Sequence, residues 1–344
     1  MNRPLTLAAL GLGAWWVYRT FAKPSFSFAG KNVLLTGGSR GLGLVIARQL
    51  IDARARVAIC SRDADELRRA ADDLQNRGGE VLALRCDVTD RESVEAAVGL
   101  VEGRMGPIDV LINNAGVIGV GPLETMDLGD FEQAMKTHFW GSLHTVLAVL
   151  PSMRRWKRGR IVNISSIGGK VAIPHLLPYT ASKFALVGLS SGLRNELAGD
   201  GIVVTTVCPG LMRTGSHVNA EFHGQHDKEY AWFALGDAMP LMSTSAESAA
   251  SSILAACARG DAELVLTLPA KLAVILNALV PSLMSGIMSL VDRLALPGPG
   301  GIGKGTLPGK QSRGVLPDAL TANIDAAADR NNERGAIPAS QLAR

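Results

Sequence analysis

The 344-residue sequence has little of what several function classes require: aromatics make up 5%, charged residues 19%, and there are four cysteines. A nucleic-acid surface needs a basic face interleaved with aromatic side chains. Here the net charge is only +4, and the one basic cluster is Arg154, Arg155, Lys157, Arg158 and Arg160 around Trp156. That cluster is expected to be a solvated helix end, with contact to anionic lipid heads left open. No nucleic-acid partner is expected. Cys60, Cys86, Cys208 and Cys257 form no C-x-x-C pair, and three of them close apolar, β-branched runs. Reduced, buried thiols fit that placement better than disulfides or a zinc site. His217, His223 and His226 fall in one segment without an acidic or cysteine partner at a convincing interval. They are expected to be solvated loop residues, and no metal is expected. With 47% hydrophobic residues the chain is globular.

Long uncharged stretches occur twice. Leu5 to Tyr18 carries no charge and is flanked by Arg3, Arg19 and Lys23. Fourteen helical residues reach about 21 Å, short of a ~30 Å hydrocarbon core. Trp15, Trp16 and Tyr18 stand where an interfacial aromatic belt would lie, and no small-x-small cleavage site follows. Residues 1–24 are therefore expected to anchor the chain at the cytoplasmic face of a membrane, spanning it or lying on it. Leu272 to Val291 is also uncharged, but Asn277, Pro281, Ser282, Ser285 and Gly286 interrupt it. Leu283, Met284, Ile287, Leu290, Val291 and Leu294 recur at helical spacing, which predicts two short helices hinged near Pro281. The polar, Ala-rich remainder is expected to be an irregular, loosely ordered tail.

Between these segments, strand-length runs alternate with helical periods. The runs Asn32–Thr36, Arg56–Cys60, Val81–Cys86, Ile108–Ile112, Arg160–Ser165, Ile202–Cys208 and Glu263–Thr267 are near-continuous Val, Ile and Leu. Such runs suit strands covered on both faces. Helical stretches such as Gly41–Ala53, Ala64–Arg77 and Arg91–Arg104 lie between them. The alternation predicts an α/β fold, a doubly wound Rossmann-type parallel sheet of about seven strands. Three regions are expected: 1–24, the anchor; 25–268, the catalytic domain; and 269–344, apolar helices and tail. Thr244 with Glu247 predicts a capping box before the last helix of the domain.

The first strand runs into Thr36-Gly37-Gly38-Ser39-Arg40-Gly41-Leu42-Gly43. Glycines there let the backbone approach a pyrophosphate, and the following helix offers its N-terminal N–H groups. The second strand ends Cys60-Ser61-Arg62, where an NAD enzyme would place a carboxylate on the adenosine ribose. Ser61 carries no charge to repel a 2′-phosphate, and Arg62 and Arg40 can pair with one. NADP(H) is therefore expected over NAD(H), with Asp63 the one residue that could point inward and oppose it. Tyr179 and Lys183 are four apart in a helical stretch and share one face. An ammonium beside a phenol is expected to lower its pKa from about 10 and make it an acid/base. Ser166 follows the fifth strand, on the cofactor side, where its hydroxyl can hold a substrate carbonyl.

On these residues the chain resembles the short-chain dehydrogenase/reductase family in its single-domain form, over roughly Phe28 to Leu268. The motifs are Thr36-Gly37-x-x-x-Gly41-x-Gly43, Asp87-Val88, Asn113-Asn114-Ala115-Gly116, Ser166, Tyr179-x-x-x-Lys183, and Pro209-Gly210 with Thr214. The resemblance implies that Asp87 and Val88 line an adenine pocket and that Asn113 to Gly116 flank the cofactor. It implies that Lys183 binds the nicotinamide ribose and that Pro209 to Thr214 hold the nicotinamide end. Homodimers or homotetramers are usual in the family.

One motif departs from that pattern. The family carries a catalytic Asn in a setting like V-N-x-x-G, whereas this sequence reads Thr137-His138-Phe139-Trp140-Gly141. A neutral imidazole can accept one hydrogen bond and donate another, so His138 either serves the proton relay or only packs there. Phe222, Tyr230, Trp232 and Phe233, within Leu211–Met239, form either an apolar lid over the substrate or ordinary packing. Together these residues predict an NADPH-dependent oxidoreductase acting on a lipophilic carbonyl or alcohol. The alternative is a membrane-associated NADP(H)-binding scaffold or sensor without turnover. A sugar-nucleotide epimerase would need a substantial substrate domain.

Overall fold

The computed structural model of the chain describes residues 26–240, 242–314 and 316–334. Seven parallel strands form the central sheet: β1 (Asn32–Thr36), β2 (Arg56–Ser61), β3 (Val81–Arg85), β4 (Val110–Asn113), β6 (Gly159–Ile164), β7 (Ile202–Cys208) and β11 (Glu263–Val265). Their order is β11-β7-β6-β4-β1-β2-β3, so the winding reverses between β1 and β4. All five residues of β1 are buried, as continuous apolar runs require when helices cover both faces. One face carries α1 (Gly41–Asp52), α2 (Ala64–Asn76) and α8 (Ala246–Arg259), whose Leu50, Leu74 and Ile253 join Val33 and Ile59 in one core. The other carries α3 (Arg91–Met105), α5 (Gly141–Trp156) and the end of α6 (Leu177–Leu197), around Leu34, Leu111 and Ile161. All four cysteines are buried and unbridged.

Helix starts show how local chemistry fixes these elements. Asp63 caps α2 by accepting from the N–H groups of Asp65 and Glu66, and Asp90 caps α3 through Glu92 N–H. A reciprocal Asp127/Asp130 capping box opens α4 (Leu128–Met135). The α8 cap is Ser245, which accepts from Ser248 N–H. It is not the expected Thr244, which lies one residue earlier in a short strand. In contrast, α1 has no side-chain cap at Arg40, and its first N–H groups are left for another acceptor.

Above the carboxyl edge of the sheet lies a second layer. Strands β5 (Gly119–Val120), β9 (Glu221–Phe222) and β12 (Leu307–Pro308) form a small sheet, and β8 (Leu211–Arg213) pairs with β10 (Ser243–Ser245). Helix α7 (His226–Ala238) crosses over them. Phe222, Tyr230 and Phe233 fill a third core with Val120, Leu176 and Ile324. These aromatics are packing of the upper layer. The expectation of solvated loop histidines fails here as well: His217 and His223 are buried, and His226 begins α7. Burial drives the His217 pKa down to about 4 despite Asp325 at 3.4 Å. Hydropathy periodicity does not register this layer because its strands are two or three residues long.

The chain then forms a helical hairpin, α9 (Leu268–Leu279) and α10 (Pro281–Ala295), hinged at Val280 as the sequence predicted. Its outer side is apolar and exposed: Leu272, Ile275, Leu279, Leu283, Leu290 and Leu294 all face solvent. Among the described residues no helix is long and apolar enough to cross a membrane. The expected anchor at residues 1–24 lies outside the described residues.

The expectation of a loosely ordered tail is corrected. After β12 come α11 (Gly309–Ser312) and α12 (Asp318–Arg330), and α12 packs on α7. The buried side of α12 is Thr321, Ile324, Ala327 and Ala328. These small residues carry little hydrophobic signal but allow close approach. A Cβ placed on Gly215 would lie 2.3 Å from Ala328 Cα.

Candidate active site

The carboxyl ends of β1, β2, β3, β4 and β6 open into one cleft of about 750 Å³. Its floor is the loop between β1 and α1. Gly37 takes a φ of +64°, and a Cβ there would meet Ala115 Cα at 2.8 Å; a Cβ on Gly43 would meet the Gly37 carbonyl oxygen at 2.0 Å. Glycine is therefore required by the loop's own packing. An uncapped helix N-terminus with an arginine beside it is a donor set for an anion, so the residues present fit a dinucleotide's phosphates.

Around this floor the cleft gathers Ser39, Arg40, Gly41, Leu42, Ser61 and Arg62 at one end, and Asp87, Val88, Ala115 and Gly116 along one wall. His138, Tyr179, Lys183 and Thr214 border the other end. Asn113 does not face the cleft. Its amide donates to Asn163 Oδ1 at 2.9 Å and accepts from Thr145 Oγ1 at 2.6 Å, inside the core. Its neighbour Asn114 lines the wall instead, donating to the carbonyls of Thr36 and Gly37. Pro209 and Gly210 lie behind, where Ile167 N–H donates to the Pro209 carbonyl at 2.7 Å.

At the adenosine end, Asp63 is engaged as the α2 cap. The unforeseen acid is Glu66, which accepts from Arg40 Nη1 at 2.8 Å and Ser39 Oγ at 3.2 Å. Arg62 is exposed and makes no ion pair among the described residues. A second unforeseen acid, Glu333, reaches Arg40 from the far end of the chain.

At the other end, Ser166 begins a short 3₁₀ turn and accepts from Gly168 N–H at 3.0 Å, close after β6. Proximity to the Ser166 hydroxyl opposes the effect of burial on Tyr179; burial wins and pushes the phenol up to about 12. Lys183 Nζ donates to the Ile164 carbonyl at 2.9 Å and lies 5.5 Å from the Tyr179 ring centroid. Burial brings its pKa down to about 7. The expected lowering of the phenol by an ammonium is thus not what this arrangement delivers, because both groups have lost water. Tyr179 stands as a protonated acid at neutral pH.

His138 sits in a single π-helical turn, Lys136–Trp140, between α4 and α5. Such a turn inserts one residue and re-aims its neighbours. Nε2 accepts from Val117 N–H at 3.1 Å, which puts the ring proton on Nδ1. Nδ1 then donates to Ser182 Oγ at 2.7 Å, and that hydroxyl donates to the Tyr179 carbonyl at 2.8 Å. Burial first, and then the nearby Lys183, hold the ring well below the usual imidazole range. Both nitrogens are committed, and the ring packs edge-on against Tyr179 at 5.4 Å.

Sequence reasoning also missed His175. Its Nδ1 meets Glu229 Oε1 at 2.8 Å and its Nε2 meets Asp292 Oδ1 at 3.4 Å, tying α7 and α10 to the loop before α6. Its φ of +60° is an αL conformation uncommon for histidine, held by these partners.

The profile of the short chain dehydrogenase family matches residues 31–223. The ketoacyl reductase HetN of a Nostoc strain is 37% identical over 194 residues, covering 56% of this chain and 68% of HetN. A dehydrogenase/reductase SDR family protein 7-like of Anopheles gambiae is 36% identical over 265 residues, covering 75% of this chain and 82% of its own. A crystal structure of an actinorhodin polyketide ketoreductase variant with NADPH superposes with a TM-score of 0.62 at 30% identity, covering 71% of this chain and 98% of that one.

Proposed function

Because the chain belongs to the short chain dehydrogenase family and is an NAD(P)-dependent oxidoreductase by that membership, we propose that it reduces a lipophilic carbonyl to an alcohol with NADPH. The observation that carries this reading is Tyr179 and Lys183 lining one end of the cleft, 5.5 Å apart from ring to Nζ, with the buried Ser166 turn directly beside them.

A bound reduced nicotinamide would supply the hydride to the carbonyl carbon. Tyr179 gives its hydroxyl proton to the carbonyl oxygen as charge develops there. Ser166, beside that phenol, orients the same oxygen. Lys183, with a pKa near neutrality, carries a proton available to the emptied phenolate. His138 is a positioning residue in this scheme, joining the loop after β4 to α6.

The lipophilic substrate is supported by the hairpin, whose Asn277 donates to the Lys170 carbonyl just beyond the Ser166 turn. NADP(H) over NAD(H) is supported by uncharged Ser61, exposed Arg62 and the capping duty of Asp63. Placement at the cytoplasmic face of a membrane is supported by the apolar stretch from Leu5 to Tyr18 and the outer face of the hairpin. Self-association as a homodimer or homotetramer is supported by exposed Leu147 and Phe184 on α5 and α6 and by the habit of the family.

The test is a panel of ketones, aldehydes and alcohols followed by NADPH fluorescence, with Tyr179→Phe beside the parent. The variant is expected to lose about 10²–10⁴-fold in turnover and to keep cofactor affinity within about twofold. A variant that keeps more than a few per cent of activity removes Tyr179 from the role of acid.

A further inference from the structure

The last described residues run back across the mouth of the phosphate-binding loop. Gly41 N–H, the first of α1, donates to the Asn331 carbonyl at 2.8 Å. Asn332 Nδ2 donates to the carbonyls of Ser39 and Glu66, at 2.8 and 3.0 Å, and Asn331 Nδ2 to that of Thr214 at 3.2 Å. Glu333 is 6% exposed, and Asn219 Nδ2 donates to its Oε2 at 2.6 Å. The other carboxylate oxygen lies 2.4 Å from where a Cβ on Gly41 would stand. The strap therefore fills, with a backbone carbonyl and a carboxylate, the acceptor side of an uncapped helix N-terminus.

Arg40 shows what this does to recognition. Its guanidinium lies between Glu66 Oε1 at 2.8 Å and Glu333 Oε2 at 3.4 Å. One cation facing two carboxylates has no charge left over for a phosphate. Glu66 also accepts from Ser39 and is fixed on α2, whereas Glu333 stands past the end of α12, on a segment tied down by Arg48, Arg69 and Asn219 as well as by its own asparagines. Burial raises the Glu333 pKa to about 7, so keeping this carboxylate both buried and charged costs free energy. It is the more readily exchanged of the two partners.

We infer that Glu333 is a specificity-determining residue whose carboxylate competes with the 2′-phosphate of NADP(H) for Arg40. Its carboxylate lowers affinity for NADP(H) more than for NAD(H), because only the former carries the 2′-phosphate, whereas the Asn331 carbonyl on Gly41 N–H stands against the pyrophosphate of both. This rests on the reading of the cleft as a dinucleotide site and adds to it a built-in competitor from the same chain.

The experiment is equilibrium titration of the full chain and of Glu333→Gln with NADPH and with NADH, followed by nicotinamide fluorescence. Glutamine keeps an acceptor for Asn219 and removes the charge. NADPH should bind the variant about tenfold more tightly, with NADH changed less than about twofold. Equal gains for both dinucleotides, or weaker NADPH binding, overturn the inference. A parent that binds neither dinucleotide overturns the reading of the cleft instead. A second measurement needs no variant. Amide hydrogen exchange across 318–334 of the parent should quicken more with saturating NADPH than with saturating NADH. Slower exchange with NADPH would mean that the strap closes over the cofactor, and the competition would be refuted.

Discussion

The phosphate-binding loop at 36–43 and the strap at 330–334 meet face to face, yet they are built in opposite ways. The loop is made by omitting side chains: Gly37 and Gly43 have no room for a Cβ because backbone of the same loop or of the Asn114–Gly116 segment fills the space. The strap is made by adding them, since Asn331, Asn332 and Glu333 each use a side chain to bond the backbone or side chains of distant elements. A loop of the first kind is rigid by sterics and tolerates almost no substitution. A segment of the second kind has a replaceable set of polar bonds, each worth about 0.5–1.5 kcal/mol, and can exchange them for bonds to a ligand.

The largest test of that contrast sets Gly43→Ala against Gly215→Ala. A methyl at 43 collides with the Gly37 carbonyl, so the loop must deform. Dinucleotide affinity should fall more than about 100-fold, with a loss of ~1–3 kcal/mol in stability. A methyl at 215 collides with Ala328 in a backbone conformation of φ +94°. That change should loosen α12 and the strap, quickening hydrogen exchange there while dinucleotides still bind. If both variants lose binding equally, the two regions are one unit and the contrast fails.

His138 allows a finer test, because it lies in the motif-bearing part but is held in the manner of the strap, by side-chain bonds. His138→Asn can still accept from Val117 N–H and should keep turnover within about threefold. His138→Leu leaves that buried N–H without a partner and should lose about tenfold or more, since ~1.4 kcal/mol is tenfold. Turnover must be compared at matched folded fraction from thermal melts. Equal activities would reduce the imidazole to filling space.

The smallest effect belongs to Arg62→Ala. The side chain is exposed, so its contact with a 2′-phosphate is screened by water and worth about 1 kcal/mol or less. NADPH affinity should fall no more than about fivefold and NADH affinity should not move. A larger loss for NADH would reassign Arg62 to another part of the dinucleotide.

These contrasts also explain what could be read from the sequence. The seven strands, the glycine loop and the Ser166, Tyr179 and Lys183 set announce themselves because each depends on residue types at short, fixed spacing. The hairpin at 268–295 was legible for the same reason, through its periodicity and Pro281. Glu333 was not, since its partners Arg40 and Asn219 are far away in the chain and no local pattern links them. The upper layer escaped because its strands are too short to alternate, and α12 because alanine and threonine supply fit without hydrophobic contrast. The hydrogen-bond partners of His138, Val117 and Ser182, were not legible either, since only the fold brings them within reach.

The strap also sets an order of events during synthesis. Asn332 closes on Ser39 across 293 residues of chain, and loops of that span form late because their ends are slow to meet. The glycine loop and the first strands leave the ribosome long before their cover exists. At about 5–20 residues per second, the stretch from the hairpin to the strap takes roughly 3–13 s to emerge. During that interval Arg40 has only Glu66 of its two acidic partners, and the competitor carried by the strap has yet to arrive.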